Sequence, residues 1–205
     1  MKKDKMPAEG NKPAKAVQEM VKPAADAAQD LDGLFLDGLK DIFWAETALL
    51  KALPKMMANA TAPNLASAIK DHIMVTGLQV ERLEKVFGLL GEKADGKKCE
   101  AMAGLIREGD EILEETQPGP VRDAGIIAAS QKIEHYEIAT YGTLCAFAKA
   151  IGANDAGMLL NQSLAEEKEA DMLLSEVALN AINMAASNNE TSTMEATRGK
   201  VKMQR

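Results

Sequence analysis

The sequence predicts an all-helical protein, and three observations carry that prediction. The 205 residues are 46% hydrophobic but only 3% aromatic, with 12 Met, so the apolar content lies mainly in Ala, Leu and Met, which favour helices over strands. Apolar residues recur at alternating three- and four-residue steps along four long stretches, a spacing that keeps one stripe of a helix facing an axis. Breakers fall where those stripes end, at Gly91, at Gln117-Pro-Gly-Pro120 and at Gly152. Long helices joined by short turns and one longer connection predict an antiparallel four-helix bundle with an additional short helix.

Element by element, the first helix is expected over about Leu31 to Ala60, bent at Pro54, which lacks a backbone donor. The second starts at Pro63-Asn64, with Thr61 as its cap, and ends at Gly91. A loop over Glu92 to Lys98 leads to a short amphipathic helix, Cys99 to Glu115. The third long helix runs from Val121 to Ile151 and is closed by Gly152; the fourth is capped at Asn154-Asp155 and runs to Ala186. Residues 1–30, with Pro7, Pro13, Pro23 and many lysines, read as a flexible arm, and 187–205 as a solvated tail, leaving 31–186 as the domain.

The balance of 24 Lys+Arg against 31 Asp+Glu gives a net charge of −7, which argues against a nucleic-acid binder. Cys99 and Cys145 form neither a disulfide framework nor a CxxC pair, so a reducing compartment is expected. No signal peptide and no bilayer-spanning stretch is apparent, and the expected location is the cytoplasm.

The four stripes carry the chemistry. The first reads Phe35, Leu39, Ile42, Glu46, Leu49, Leu53, Met56. The second reads Leu65, Ile69, His72, Thr76, Gln79, Leu83, Val86, Leu90. The third reads Ile127, Gln131, Glu134, Ile138, Tyr141, Cys145, Ala148, with Glu137 flanking it. The fourth reads Leu160, Leu164, Glu167, Asp171, Leu174, Ala178, Ala181. Each is apolar toward its ends and polar in its middle, and in an antiparallel bundle the middles meet in one layer. Glu46, His72, Glu134, Glu137, Glu167 and Asp171 are therefore expected to converge on the axis.

Ionised carboxylates in a low-dielectric core are costly unless compensated. No Lys or Arg is expected on the stripes at that level, and protonating so many acids at neutral pH is a poor solution. Two divalent metal ions remain. Oxygen-rich donors with an imidazole suit iron or manganese, and acids projecting inward from several helices are the arrangement of di-iron and di-manganese carboxylate bundles. The competing expectation is a rotated seam that leaves the acids at the edge, in water.

Several segments also look familiar: Leu39-Lys-Asp-Ile-Phe-Trp-Ala-Glu46, Lys51-Ala-Leu-Pro-Lys-Met56, Gln79-Val-Glu-Arg-Leu-Glu-Lys-Val-Phe87, Gly96-Lys-Lys-Cys-Glu-Ala-Met102 and Lys132-Ile-Glu-His-Tyr-Glu-Ile-Ala139. Together they resemble the YciE/YciF family of bacterial ferritin-like stress proteins, over about residues 31–186. The resemblance implies a fold similar to ferritin and rubrerythrin, and a dinuclear metal site. It matches Glu46 to the first-helix acid, His72 to the second-helix histidine, Glu134 and Glu137 to the Glu-His-Tyr-Glu motif, and Glu167 with Asp171 to the last-helix pair. Glu134 or Glu46 is expected to bridge the ions, with the other residues terminal. The sequence departs from the family at Val75, where relatives carry Glu or Gln, and at Gln79, where many carry His, so the second helix supplies fewer ligands.

The stress association implies peroxide or metal handling, with peroxide or dioxygen as a small oxidant, in a homodimer. The alternative is a structural or interaction protein whose acidic layer is protonated or hydrated.

Of the remaining residues, His135 lies off the stripe and reads as polar packing, Tyr141 as a satisfied core tyrosine, and Glu166 as solvated. Cys145 reads as small core filler, Cys99 as an exposed residue near a loop, and Trp44 as a dimer contact or a bundle cap. No phosphate loop and no Ser-His-Asp pattern is present.

Overall fold

The computed structural model describes residues 21–25 and 27–188. Most of the expected N-terminal arm and nearly all of the expected C-terminal tail lie outside these residues. Five α-helices occupy the described residues: α1 (Leu31–Asn59), α2 (Pro63–Leu89), α3 (Glu100–Glu115), α4 (Pro120–Ile151) and α5 (Asn154–Val177). There is no strand among the described residues, and no described helix is long and apolar enough to cross a membrane.

The helix ends follow from local chemistry, with two departures from expectation. Asp30 starts α1 as its side chain accepts the Gly33 N–H at 2.8 Å. The helix continues through Pro54, which lies on its exposed side. Thr61 does not cap α2. The cap position is Ala62, and the turn is held from another helix: Asp123 of α4 accepts the Thr61 N–H at 2.7 Å, the Thr61 hydroxyl at 2.5 Å and the Ala62 N–H at 2.9 Å. Gly152 ends α4 in the left-handed region, at φ 79°, as glycine permits. The expected cap at Asn154-Asp155 is absent; α5 begins at Asn154 behind Ala153, with no side-chain cap.

Tight turns make α1–α2 and α4–α5 antiparallel hairpins. Gly38 of α1 meets Leu144 of α4 at one end, while Met56 of α1 and Ala129 of α4 both approach Gly109 of α3 at the other, so α1 and α4 are antiparallel. Arg82 and Gln79 of α2 meet Ser163 and Glu167 of α5, which makes that pair antiparallel too. The result is an up-down-down-up bundle with one crossover, and α3 lies in that crossover against α1 and α4. This is a ferritin-like arrangement. Gly109 faces the Met56 side chain where α3 meets α1.

The α2–α3 loop crosses α1: the Lys97 N–H donates to the Lys40 carbonyl at 3.1 Å, and Gly96 packs on half-buried Trp44. Cys99 is buried rather than exposed, because it starts α3 and its sulfur accepts the Met102 N–H at 3.3 Å.

All seven residues of the first stripe are buried. The fourth stripe slips at its end. A π-helical turn over Ala178–Ile182 widens the spiral, so Ala181 is exposed and Ile182 takes the core position expected of it.

Candidate metal centre

One level of the core is polar. Glu46 from α1, Thr76 and Gln79 from α2, Glu134 and Glu137 from α4, and Glu167 from α5 are all buried there. Glu134 and Glu137 share a face because residues three apart on a helix do. The four acids are 0–3% exposed. His72 stands beside them, with its Nε2 3.5 Å from Glu134 Oε1. Potential donor atoms of His72, Glu134, Glu137 and Glu167 all lie within 4.8 Å of one another.

Glu46 adjoins this group, and its Oε1 accepts the Tyr141 hydroxyl at 2.6 Å. Asp171 does not join it. Its Oδ1 instead faces the exposed His135 at 3.3 Å and the Gln131 amide at 3.3 Å.

Burial governs the protonation of the layer. It pushes Glu46 from 4.5 up to about 8, aided by the charge of Glu167. It pushes Glu167 to about 7, opposed by hydrogen bonds from Glu134 and Gln79. Glu134 and Glu137 are held well above the carboxylate range, first by burial and then by Glu167 and Glu46 respectively. Burial lowers His72 to about 4, so its imidazole is neutral and has a lone pair to offer.

An internal ion pair was not expected at this level, yet one sits at its edge. Arg82, 7% exposed, grips Glu166 through Nη1 at 2.7 Å and Nη2 at 2.8 Å, and donates to Ser163 at 2.7 Å. Glu166 is therefore paired rather than solvated. The Gln79 amide donates to Glu166 at 3.2 Å and also to Glu167, linking the ion pair to the layer. The signal was present in the sequence: Arg82 lies three residues after Gln79, close to the same stripe.

After these bonds are made, Glu46 Oε2, Glu134 Oε2, Glu167 Oε2, both oxygens of Glu137 and Gln79 Oε1 have no hydrogen-bond partner among the described residues. An unsatisfied buried polar atom costs about 1–3 kcal/mol, so six at one level call for compensation. Carboxylate oxygens, an amide oxygen and a neutral imidazole form a donor set that fits divalent iron or manganese. A cavity of about 190 Å³ between α2 and α5 reaches this level, with His72 and Glu134 in its lining.

Comparison with known proteins places the chain. Residues 30–187 match the family described as "Domain of unknown function (DUF892)". The chain belongs to this family. Protein YciF of Escherichia coli (strain K12) is 40% identical over 159 residues, spanning 77% of this chain and 96% of YciF. The crystal structure of YciF, described as an E. coli stress protein, superposes with a TM-score of 0.73 at 39% identity, covering 76% of this chain and 99% of that one. YcfI from Rhodopseudomonas palustris, for which a structural role is suggested, gives 0.72 at 46% identity, covering 74% and 96%. The YciF resemblance read from the sequence segments holds across the domain.

Proposed function

We propose that the chain is a bacterial stress protein of the YciF type whose bundle holds two divalent ions, iron or manganese, and acts in peroxide or metal handling. The observation that carries this reading is the buried layer of acids with unpartnered oxygens. Charge supports a pair of ions: Glu46, Glu134, Glu137 and Glu167 carry four negative charges when ionised, His72 is neutral, and Glu166 is already balanced by Arg82.

In this reading His72, Glu134, Glu137 and Glu167, whose donor atoms lie together, would hold the ions, with Glu46 and the Gln79 amide oxygen adding further donors. Glu137 would serve as a ligand through either oxygen: no tyrosine hydroxyl, amide or imidazole holds them, whereas Tyr141 occupies one oxygen of Glu46 and His72 faces one of Glu134. Tyr141 and Gln79 each hold one oxygen of Glu46 and Glu167 and leave the other free. When bound, such a metal pair supplies reversible electron transfer to a small oxidant such as dioxygen or peroxide.

Elemental analysis of freshly isolated protein, together with melting curves before and after chelation, tests the proposal. Near-stoichiometric iron or manganese and a lower melting temperature after stripping are expected. A second reading, a structural protein with a protonated layer, is favoured by the raised acids and by the role suggested for YcfI. A melting temperature indifferent to chelation selects it.

A further inference from the structure

The acids of the layer are sealed from solvent at 0–3% exposure, and His72, with 12% of its side chain exposed, is the more open member. Ions of the proposed centre need a path. A cavity lined by Trp44, Lys51 and Ile106 and another lined by Phe35, Leu90 and Ile151 include none of the layer's side chains. The cavity between α2 and α5 does: His72 and Glu134 line it, and Glu134 is 3% exposed with Oε2 unpartnered.

Asp71, Glu166 and Glu169 also line this cavity. Arg82 neutralises Glu166. Asp71 and Glu169 are exposed and form no ion pair among the described residues, while their neighbours in sequence, Lys70 and Lys168, are not part of the lining. The rim is therefore negative. Ala68, Ile69, Val75, Ala170 and Leu173 supply apolar walls that offer a cation no ligand, so the two acidic ends define the path.

We propose that this cavity is the port through which the centre takes up and releases its cations, with Asp71 and Glu169 capturing the hydrated divalent ion at the rim. The proposal rests on the metal reading above.

The test uses the full chain and cobalt(II), whose visible absorbance reports uptake in stopped flow, with bound cobalt measured after equilibrium dialysis. In the Asp71→Asn/Glu169→Gln double variant both changes are on exposed side chains, and circular dichroism verifies the fold. At low salt its uptake is expected to slow about three- to tenfold and to lose much of its salt dependence, as a steered association does, with the amount bound at equilibrium unchanged. Ala170→Trp, which fills the cavity, slows both uptake and chelator-driven release while stoichiometry is kept. Cobalt bound in the usual amount at wild-type rates by both variants overturns the port alone. A wild-type chain that binds no cobalt overturns the metal reading as well.

Discussion

Without bound ions, the buried acids make the stability of the chain depend on pH. In the metal-free chain burial raises Glu46 from 4.5 to about 8 and Glu167 from 4.5 to about 7. Between the unfolded and folded values the folded chain keeps protons that the unfolded chain has released. The stabilising contribution is thus complete below about pH 4.5 and is lost as pH rises toward 8. At about 1.4 kcal/mol per pH unit, and with the two acids sharing part of the effect through their mutual repulsion, the shifts point to a combined loss of several kcal/mol. That is comparable with the whole stability of a typical domain, about 5–15 kcal/mol.

Thermal melts in chelator at half-unit steps from pH 5 to 8.5 should therefore fall by many degrees, at the roughly 2–4 °C per kcal/mol typical of a domain this size. Added manganese should flatten the profile, because the ions replace the protons. Glu46→Gln, which keeps an acceptor for Tyr141 but cannot ionise, should show a shallower slope in chelator. A chelated wild-type profile that is flat or rises over this range, and matches that of Glu46→Gln, would refute the buried-acid reasoning.

Other substitutions probe separate links. Glu137→Gln removes the acid with two unpartnered oxygens, so the metal-free chain should melt higher at pH 8 while elemental analysis shows loss of at least half of the bound metal. Asp123→Ala strips two backbone donors and a hydroxyl of their shared acceptor at the start of α2; urea unfolding should register a loss of about 2–4 kcal/mol. Gly77→Ala places a methyl in open space on α2 and should stabilise the chain by about 0.5–1 kcal/mol in the same assay.

The polar layer was legible in the sequence because burial imposes a period. Glu46, Glu134, Glu137 and Glu167 interrupt or flank apolar stripes at matching depth, and each is buried. Asp171 obeys the same period but faces His135 and Gln131, since a stripe gives a side chain's azimuth only to within the width of a seam. Glu166 was read as solvated because its partner, Arg82, lies 84 positions away in the chain. The slip at Ala181 came from a π turn, which no stripe extrapolated at α-helical spacing contains.

What the sequence determined by itself was local and periodic: which stretches coil into helices, which face of each is apolar, and where acids break that face. What only the tertiary structure decided was which donors meet. Asp123 capping a different helix, one oxygen of Glu46 held by Tyr141, and Gln79 joining Arg82's partner to Glu167 all depend on the rotation and offset of separate helices. Those are set by packing between segments far apart in the chain, and helical periodicity carries no record of them.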